Sequence, residues 1–292
     1  MAAIALQFER HLPLPHHVGL NISSRVQKRS SISHKKGLMH PILARYGPFF
    51  LFTFTVVMGI GILTGVGLTA VLARWDRRDH SDWIDAFLIV LVTGMVGGRI
   101  AFVITNWTYY QENLGEIGLV WRGGLSYYGA LLAGMLALGI WSLGQGRSFG
   151  IYAGLLAPAI ALVSAFGWLA CWFEGCAYGK ETGFGPLAAD LPDSFGVFGL
   201  RYQTQWMGLI FCIFTLLLIF IVWRRLRPIT LFFLTLLFLS AGRLIVSLFR
   251  GDAIPMIGQY RLDTLVDAGL ILLSMVGIVL VTIRKKILDH KQ

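Results

Sequence analysis

The chain has 292 residues, of which 56% are hydrophobic and only 14% charged, where soluble domains carry roughly 25% charged residues. Apolar runs of about 20 residues recur along it, which excludes an ordinary soluble domain and places the chain in the membrane class. The formal charge of +10 does not indicate nucleic acid, because the basic residues cluster at the ends of apolar runs, where they anchor and orient helices.

Residues 1–47 carry seven Lys or Arg but no apolar core, so this stretch is not a secretory signal. Seven apolar segments follow, at roughly 48–72, 84–105, 125–143, 150–173, 205–223, 229–249 and 262–283. Each is long enough to cross a hydrocarbon core of about 30 Å as a helix. The fourth and sixth contain Pro158 and Gly242, which membrane helices tolerate because neighbouring helices satisfy the freed backbone groups. The expected fold is all-α: a polytopic integral membrane protein with seven transmembrane helices.

Short basic loops set the expected orientation. Arg224, Arg225 and Arg227 lie between segments five and six, and Arg284, Lys285 and Lys286 follow segment seven. The positive-inside rule makes both groups cytoplasmic. It puts the loops at 106–124, 174–204 and 250–261 outside, with the N-terminus outside and the C-terminus cytoplasmic. Segment seven has no lysine for a retinal Schiff base, and all seven histidines lie outside the apolar segments, which disfavours a haem bundle. Three cysteines, Cys171, Cys176 and Cys212, do not form an even-numbered disulfide framework. Without nearby histidine, Cys171 and Cys176 read as small buried apolar residues rather than metal ligands.

Four stretches are more specific than hydropathy. These are "MHPILARYGPFF" from Met39, "GGRIAFVITNWTYYQENLGEIGLVWRGGLSYYGALLAG" from Gly97, "FGWLACWFEGCAYGKETG" from Phe166, and "LSAGRLIVSLFRGD" from Leu239 followed by "GQYRLDTLVDAG" from Gly258. In this order and spacing the chain resembles the prolipoprotein diacylglyceryl transferases, over residue 39 to about residue 285. The resemblance implies seven membrane helices with the N-terminus outside, in the cytoplasmic (inner) membrane of a bacterium. It implies transfer of the diacylglyceryl group of phosphatidylglycerol to the thiol of a lipobox cysteine in a prolipoprotein signal peptide. The partners are then phosphatidylglycerol, that peptide and the bilayer, without a cofactor or metal. The family begins near H-P-I-L, so residues 1–38 are expected to be a basic extension, disordered or misassigned, ahead of a transmembrane domain at 39–292.

Carried over residue by residue, Arg99 matches the family's small-R pair with Gly98, and Gly123, Gly124 and Ser126 match its G-G-x-S turn. Gly179 closes the helix-four signature, Arg243 is the arginine of helix six, Arg250 sits at that helix's outer end, and Gln259 belongs to G-Q before helix seven. The resemblance makes Arg99, Arg243, Arg250, Gly123, Gly124, Ser126, Gly179 and Gln259 the phospholipid-binding set. Trp168 stands where the family has an arginine, Cys171, Glu174 and Cys176 stand at polar positions, Tyr128 replaces a histidine, and Leu239 a tyrosine. "RYQTQWMG" keeps only Arg201, Thr204 and Gln205 of an outer motif.

Buried guanidinium groups suit a phosphodiester, because the planar fork matches phosphate oxygens and stays protonated. For Arg99 and Arg243 the competing reading is a structural ion pair with Asp263 or Asp267, which lie i, i+4 on one face of helix seven. Glu174 is either an interfacial carboxylate or a substitute base. Tyr128 is a hydrogen-bond donor and a poor base. With Arg243, these two form the candidate catalytic set. Two readings stay open: the transferase, with Tyr128, Glu174 or Asp267 compensating for lost groups, and a catalytically degenerate homologue acting as a lipid-binding or partner-binding membrane subunit.

Overall fold

The computed structural model describes residues 42–46, 49–76, 82–120, 123–183, 185, 187–193 and 196–289. Residues 1–38, and with them the expected N-terminal extension, lie outside the described residues, as do His40 and Pro41. Seven helices among the described residues are long and apolar enough to cross a membrane. They are α1 (Thr53–Trp75), α2 (Trp83–Thr105), α3 (Tyr127–Gly144), α4 (Phe149–Glu174), α5 (Thr204–Val222), α6 (Pro228–Ser247) and α7 (Leu262–Asp289).

The helix ends follow from local chemistry. Ser126 caps α3, its hydroxyl accepting from the Gly129 N–H at 3.3 Å, as N-cap serines do. Pro228 opens α6 at a position where no intrahelical N–H is needed. Gly175 closes α4 in the left-handed conformation, φ 77°, which glycine adopts without a Cβ clash. Pro158 does not break α4: the helix runs through it, with Pro158 buried.

The first segment starts later than its hydropathy suggests. Ile42–Tyr46 (β1) and Phe49–Phe52 (β2) pair antiparallel, and α1 begins only at Thr53. Phe49, Phe50 and Phe52 favour an extended backbone, and averaged hydropathy cannot tell an apolar strand from an apolar helix. Two further hairpins sit in the loops: Ala188–Pro192 (β3) with Phe198–Tyr202 (β4), and Met256–Ile257 (β5) with Tyr260–Arg261 (β6).

Helix α4 is the hub. It packs against α1, α5 and α6, and 56% of its most apolar stretch is buried, against 17% in α3 and in α7. The outward faces elsewhere are apolar, with Leu63, Ile140, Leu143 and Ile221 among the exposed side chains. Such a continuous apolar exterior is what lipid requires and water penalises. Helices α2 and α3 approach through small residues: a Cβ on Gly129 would crowd the Gly97 carbonyl and the Ala101 methyl. In lipid, such close backbone contact provides packing where no hydrophobic force operates.

The loops at 106–124, 174–204 and 250–261 gather at one end of the bundle. Lys180 donates its N–H to the Phe249 carbonyl at 2.8 Å, Gly251 to Tyr178 at 2.9 Å, and Tyr202 to Lys180 at 3.2 Å. At the opposite end, Arg147 pairs with Asp82 at 2.7 Å.

Candidate active site

Just inside the loop-bearing end, α3, α4, α6 and α7 converge on one guanidinium. Arg243 of α6 lies over the ring of Tyr127 with 4.0 Å from its central carbon to the ring centroid, and 4.9 Å and 5.8 Å from the rings of Tyr128 and Trp168. All three are within cation–π range. From α7, Asp267 approaches to 3.8 Å from the Arg243 Nε. The Tyr128 hydroxyl donates to Asp267 Oδ2 at 2.7 Å and accepts long bonds, 3.4 Å each, from Arg243 Nε and Nη2. Asp267 is 1% exposed, and its Oδ1 has no hydrogen-bond partner. An aromatic cage thus holds a cation whose donors are only weakly engaged, beside a carboxylate whose Oδ1 faces it without a hydrogen bond.

The other predicted arginine is used differently. Arg99 donates from Nε to Ile117, from Nη1 to Gly123 and Gly124, and from Nη2 to Glu116, all to backbone carbonyls at 2.6–3.1 Å. Gly123 and Gly124 have φ of 85° and 78°, a region that side chains rarely adopt. A Cβ on Gly124 would also meet Arg99 Nη1 and the Phe102 ring. The G-G-x-S turn therefore wraps its carbonyls around Arg99 and then delivers Ser126, Tyr127 and Tyr128 to the start of α3. Neither Asp263 nor Asp267 pairs with Arg99, so of the ion pairs weighed from sequence, the one observed is Arg243 with Asp267.

Asp263, one turn outward on α7 and 3% exposed, belongs to a second cluster. Arg250 binds both oxygens of Asp252 at 2.5 and 2.9 Å and reaches Asp263 at 3.3 Å. Arg261 touches Asp263 at 3.2 Å and Asp252 at 3.3 Å. Burial works against the charge on Arg261, but the hydrogen bond with Asp263 and the charges of Asp263 and Asp252 hold its pKa above the ordinary arginine value. Asp263 also accepts from the Thr264 N–H at 2.9 Å, at the start of α7.

The remaining predicted residues lie on the outer rim. Gly179 forms a β-bridge to Arg250, and a Cβ there would collide with the Tyr202 carbonyl. Gln259 is at the exposed tip of the β5–β6 hairpin. Glu174 ends α4, six residues beyond Trp168, which is about 9 Å along a helix axis.

Two features escaped the sequence reading. Cys171 and Cys176 form a disulfide across the end of α4, so they are a covalent staple and not simply packed thiols; Cys212 is free and buried. The odd cysteine total concealed the pair, although five-residue spacing across a helix end with Gly175 was a usable signal. The turn is pinned further by Thr204, whose hydroxyl donates to the Ala177 carbonyl at 2.5 Å, and by Gln205, whose amide donates to Cys176 at 2.8 Å. Tyr127 was also missed, since only the fold brings it to Arg243.

Known proteins point the same way. A family model described as prolipoprotein diacylglyceryl transferase matches residues 41–281. Among similar curated proteins, the phosphatidylglycerol–prolipoprotein diacylglyceryl transferase of Trichormus variabilis is 30% identical over 262 residues, 84% of this chain and 91% of the relative. Proteins of the same name from Streptococcus equi subsp. zooepidemicus (28% identical, 82% of this chain, 95% of the relative) and Acaryochloris marina (27% identical, 86% and 94%) are similar over comparable spans.

Proposed function

Given that the chain belongs to the prolipoprotein diacylglyceryl transferase family, we propose that it moves the diacylglyceryl group of phosphatidylglycerol onto a lipobox cysteine thiol of a prolipoprotein, releasing glycerol phosphate. The observation that carries this reading is the state of Arg243. Arg99, Arg201, Arg250 and Arg261 are each held by carbonyls or carboxylates at 3.3 Å or less, whereas the polar contacts of Arg243 are long, 3.4 Å to the Tyr128 hydroxyl and 3.8 Å to Asp267. A fork with donors to offer, in a water-poor cage, is suited to an anionic phosphodiester and to the charge that grows on the leaving phosphate.

The surroundings are apolar. A small apolar gap lined by Leu131, Ile160, Phe232, Thr235, Leu236 and Leu239, with room for about one water molecule, lies between α3, α4 and α6, and Leu239 is one helical turn from Arg243. Arg250, Gly179, Gln259 and Glu174 form the rim where headgroup and acceptor peptide would enter. Arg99, with Gly123, Gly124 and Ser126, shapes the turn that presents Tyr128.

On this reading the protein sits in a bacterial cytoplasmic membrane with the loops at 106–124, 174–204 and 250–261 facing outward. The basic ends at 224–227 and 284–286 support that orientation. The disulfide at the opposite end supports it independently, because such bonds persist on the oxidising side of a membrane.

A second reading, a lipid-binding subunit without turnover, is favoured by Trp168, which fills with an indole the place of a family arginine. Purified protein given phosphatidylglycerol and a lipobox peptide separates the two. Release of glycerol phosphate that disappears in Arg243→Ala supports the transferase. Retained phosphatidylglycerol binding without release of glycerol phosphate overturns it in favour of the binding subunit.

A further inference from the structure

The transferase reading leaves one chemical need unassigned, the acceptor thiol's proton. The thiolate is the nucleophile, and a cysteine near its ordinary pKa is mostly protonated at neutral pH. A tyrosine alone is a poor acceptor for that proton, since with an ordinary pKa near 10 its hydroxyl still carries its own proton at neutral pH. Behind Tyr128, however, stands Asp267, taking the tyrosine's hydrogen bond at 2.7 Å on Oδ2 while its Oδ1 is buried without a hydrogen-bond partner.

The groups facing this carboxylate are few. From α3 come Tyr127 and Tyr128, and from α6 comes Arg243, at 3.8 Å. That distance is beyond a hydrogen bond, so the cation stabilises the carboxylate without capping it. On α7 itself the neighbouring acid, Asp263, is engaged by Arg250 and Arg261. A buried carboxylate that serves only as counterion to an arginine is ordinarily clamped by it, fork to oxygens, as Asp252 is by Arg250. Asp267 is clamped instead by a hydroxyl that can carry a proton.

The geometry points to Asp267 as the proton acceptor for the acceptor thiol, working through the hydroxyl of Tyr128. This assignment rests on the transferase reading above and deepens it. The thiol S–H proton passes to Tyr128 Oη as the tyrosine's own hydroxyl proton passes to Asp267. The sulfur lone pair attacks the glyceryl carbon bound to the phosphate oxygen. The C–S bond forms, the C–O bond breaks, and its electron pair stays on phosphate beside Arg243. The proton on Asp267 returns through Tyr128 to the departing glycerol phosphate. No oxidant, metal or further reactant is needed. Asp267 is a positioning residue in that it touches no substrate atom, and Tyr128 is the group in contact.

The test compares two acceptors: a lipobox peptide, and the same peptide with selenocysteine in place of its cysteine, whose selenol is ionised at neutral pH. With the cysteine peptide, Asp267→Asn is expected to lower kcat/KM by about 10²–10⁴-fold, the usual reach of general base catalysis. With the selenocysteine peptide, the same variant is expected within about tenfold of wild type, because no proton has to be removed. Tyr128→Phe, which keeps the carboxylate but cuts the relay, is expected to show the same acceptor dependence, and it carries the test if Asp267→Asn does not fold. Equal losses with both acceptors overturn the relay and make Asp267 a structural partner of Arg243. Absence of turnover by wild type with either acceptor instead overturns the transferase reading, and this assignment with it.

Discussion

A Cβ on Gly208 would fall inside the indole of Trp168, so the bare backbone of α5 is what lets that ring sit in the core beside the Arg243 guanidinium, 5.8 Å from its centroid. The two residues form one packing unit. Gly208→Ala must displace the indole or bend α5, and overpacking of this kind costs about 1–3 kcal/mol. Thermal unfolding in detergent is expected to show that loss in the wild-type background and a clearly smaller one in Trp168→Phe. Additive losses in the double-mutant cycle would mean that the contact does not couple the two helices.

Arg99 is buried and Arg243 keeps 18% of its side chain exposed, and their replacement by lysine separates their roles. Lysine keeps the charge but has no fork. At position 99 it cannot reach the four carbonyls of residues 116, 117, 123 and 124 together. Arg99→Lys is therefore expected to destabilise the fold by roughly 2–4 kcal/mol and to raise amide exchange across 111–124. Unchanged exchange with a higher KM for phosphatidylglycerol would instead assign Arg99 to lipid binding. Arg243→Lys is expected to leave that loop protected and to lower turnover about 10²–10³-fold, as the loss of a donor to developing charge does.

The spans were legible because a bilayer imposes about 20 apolar residues on every crossing helix, and the first was misplaced only where Phe49–Phe52 form a strand. The pairing of α7 with the arginines was half legible. The i, i+4 spacing of Asp263 and Asp267 put both on one face, but which arginine each meets depends on where α6 ends. The cage was not legible, because Tyr127 and Tyr128 lie more than a hundred residues from Arg243 and meet it only through the α3–α4–α6 packing. Charge pattern alone likewise gave Arg99 and Arg243 the same standing. What separates them is the glycine turn at 123–124, whose backbone conformation turns carbonyls toward the first and has no counterpart at the second.

The Cys171–Cys176 staple closes a very short loop, so the entropic model gives it about 2 kcal/mol. Cys171→Ser and Cys176→Ser are each expected to lower stability by that order and to loosen the turn that Thr204 and Gln205 hold. Alkylation of denatured protein followed by mass spectrometry gives the direct check. One cysteine, Cys212, is expected to be modified without reductant, and all three after reduction. Three modified cysteines without reductant would remove both the staple and the orientation argument built on it.

In the outer ion network the two carboxylates are not equivalent. Asp252 serves Arg250 and Arg261 from the loop, whereas Asp263 serves the same two arginines and also the first turn of α7 through the Thr264 N–H. Asp263 is 3% exposed, and removing one partner of a buried ion pair leaves the other charge uncompensated, at a cost of about 3–5 kcal/mol. Asp252 keeps more contact with water, so Asp252→Asn is expected to cost less. Asp263→Asn should also weaken the junction between the β5–β6 hairpin and α7, and with it the placement of Asp267 one turn further along. The expected result is a lower unfolding temperature in Asp263→Asn than in Asp252→Asn, changing little between 0.05 and about 0.5 M salt because buried pairs are poorly screened. Equal losses, or losses that vanish in salt, would identify the network as a surface feature without a hold on α7.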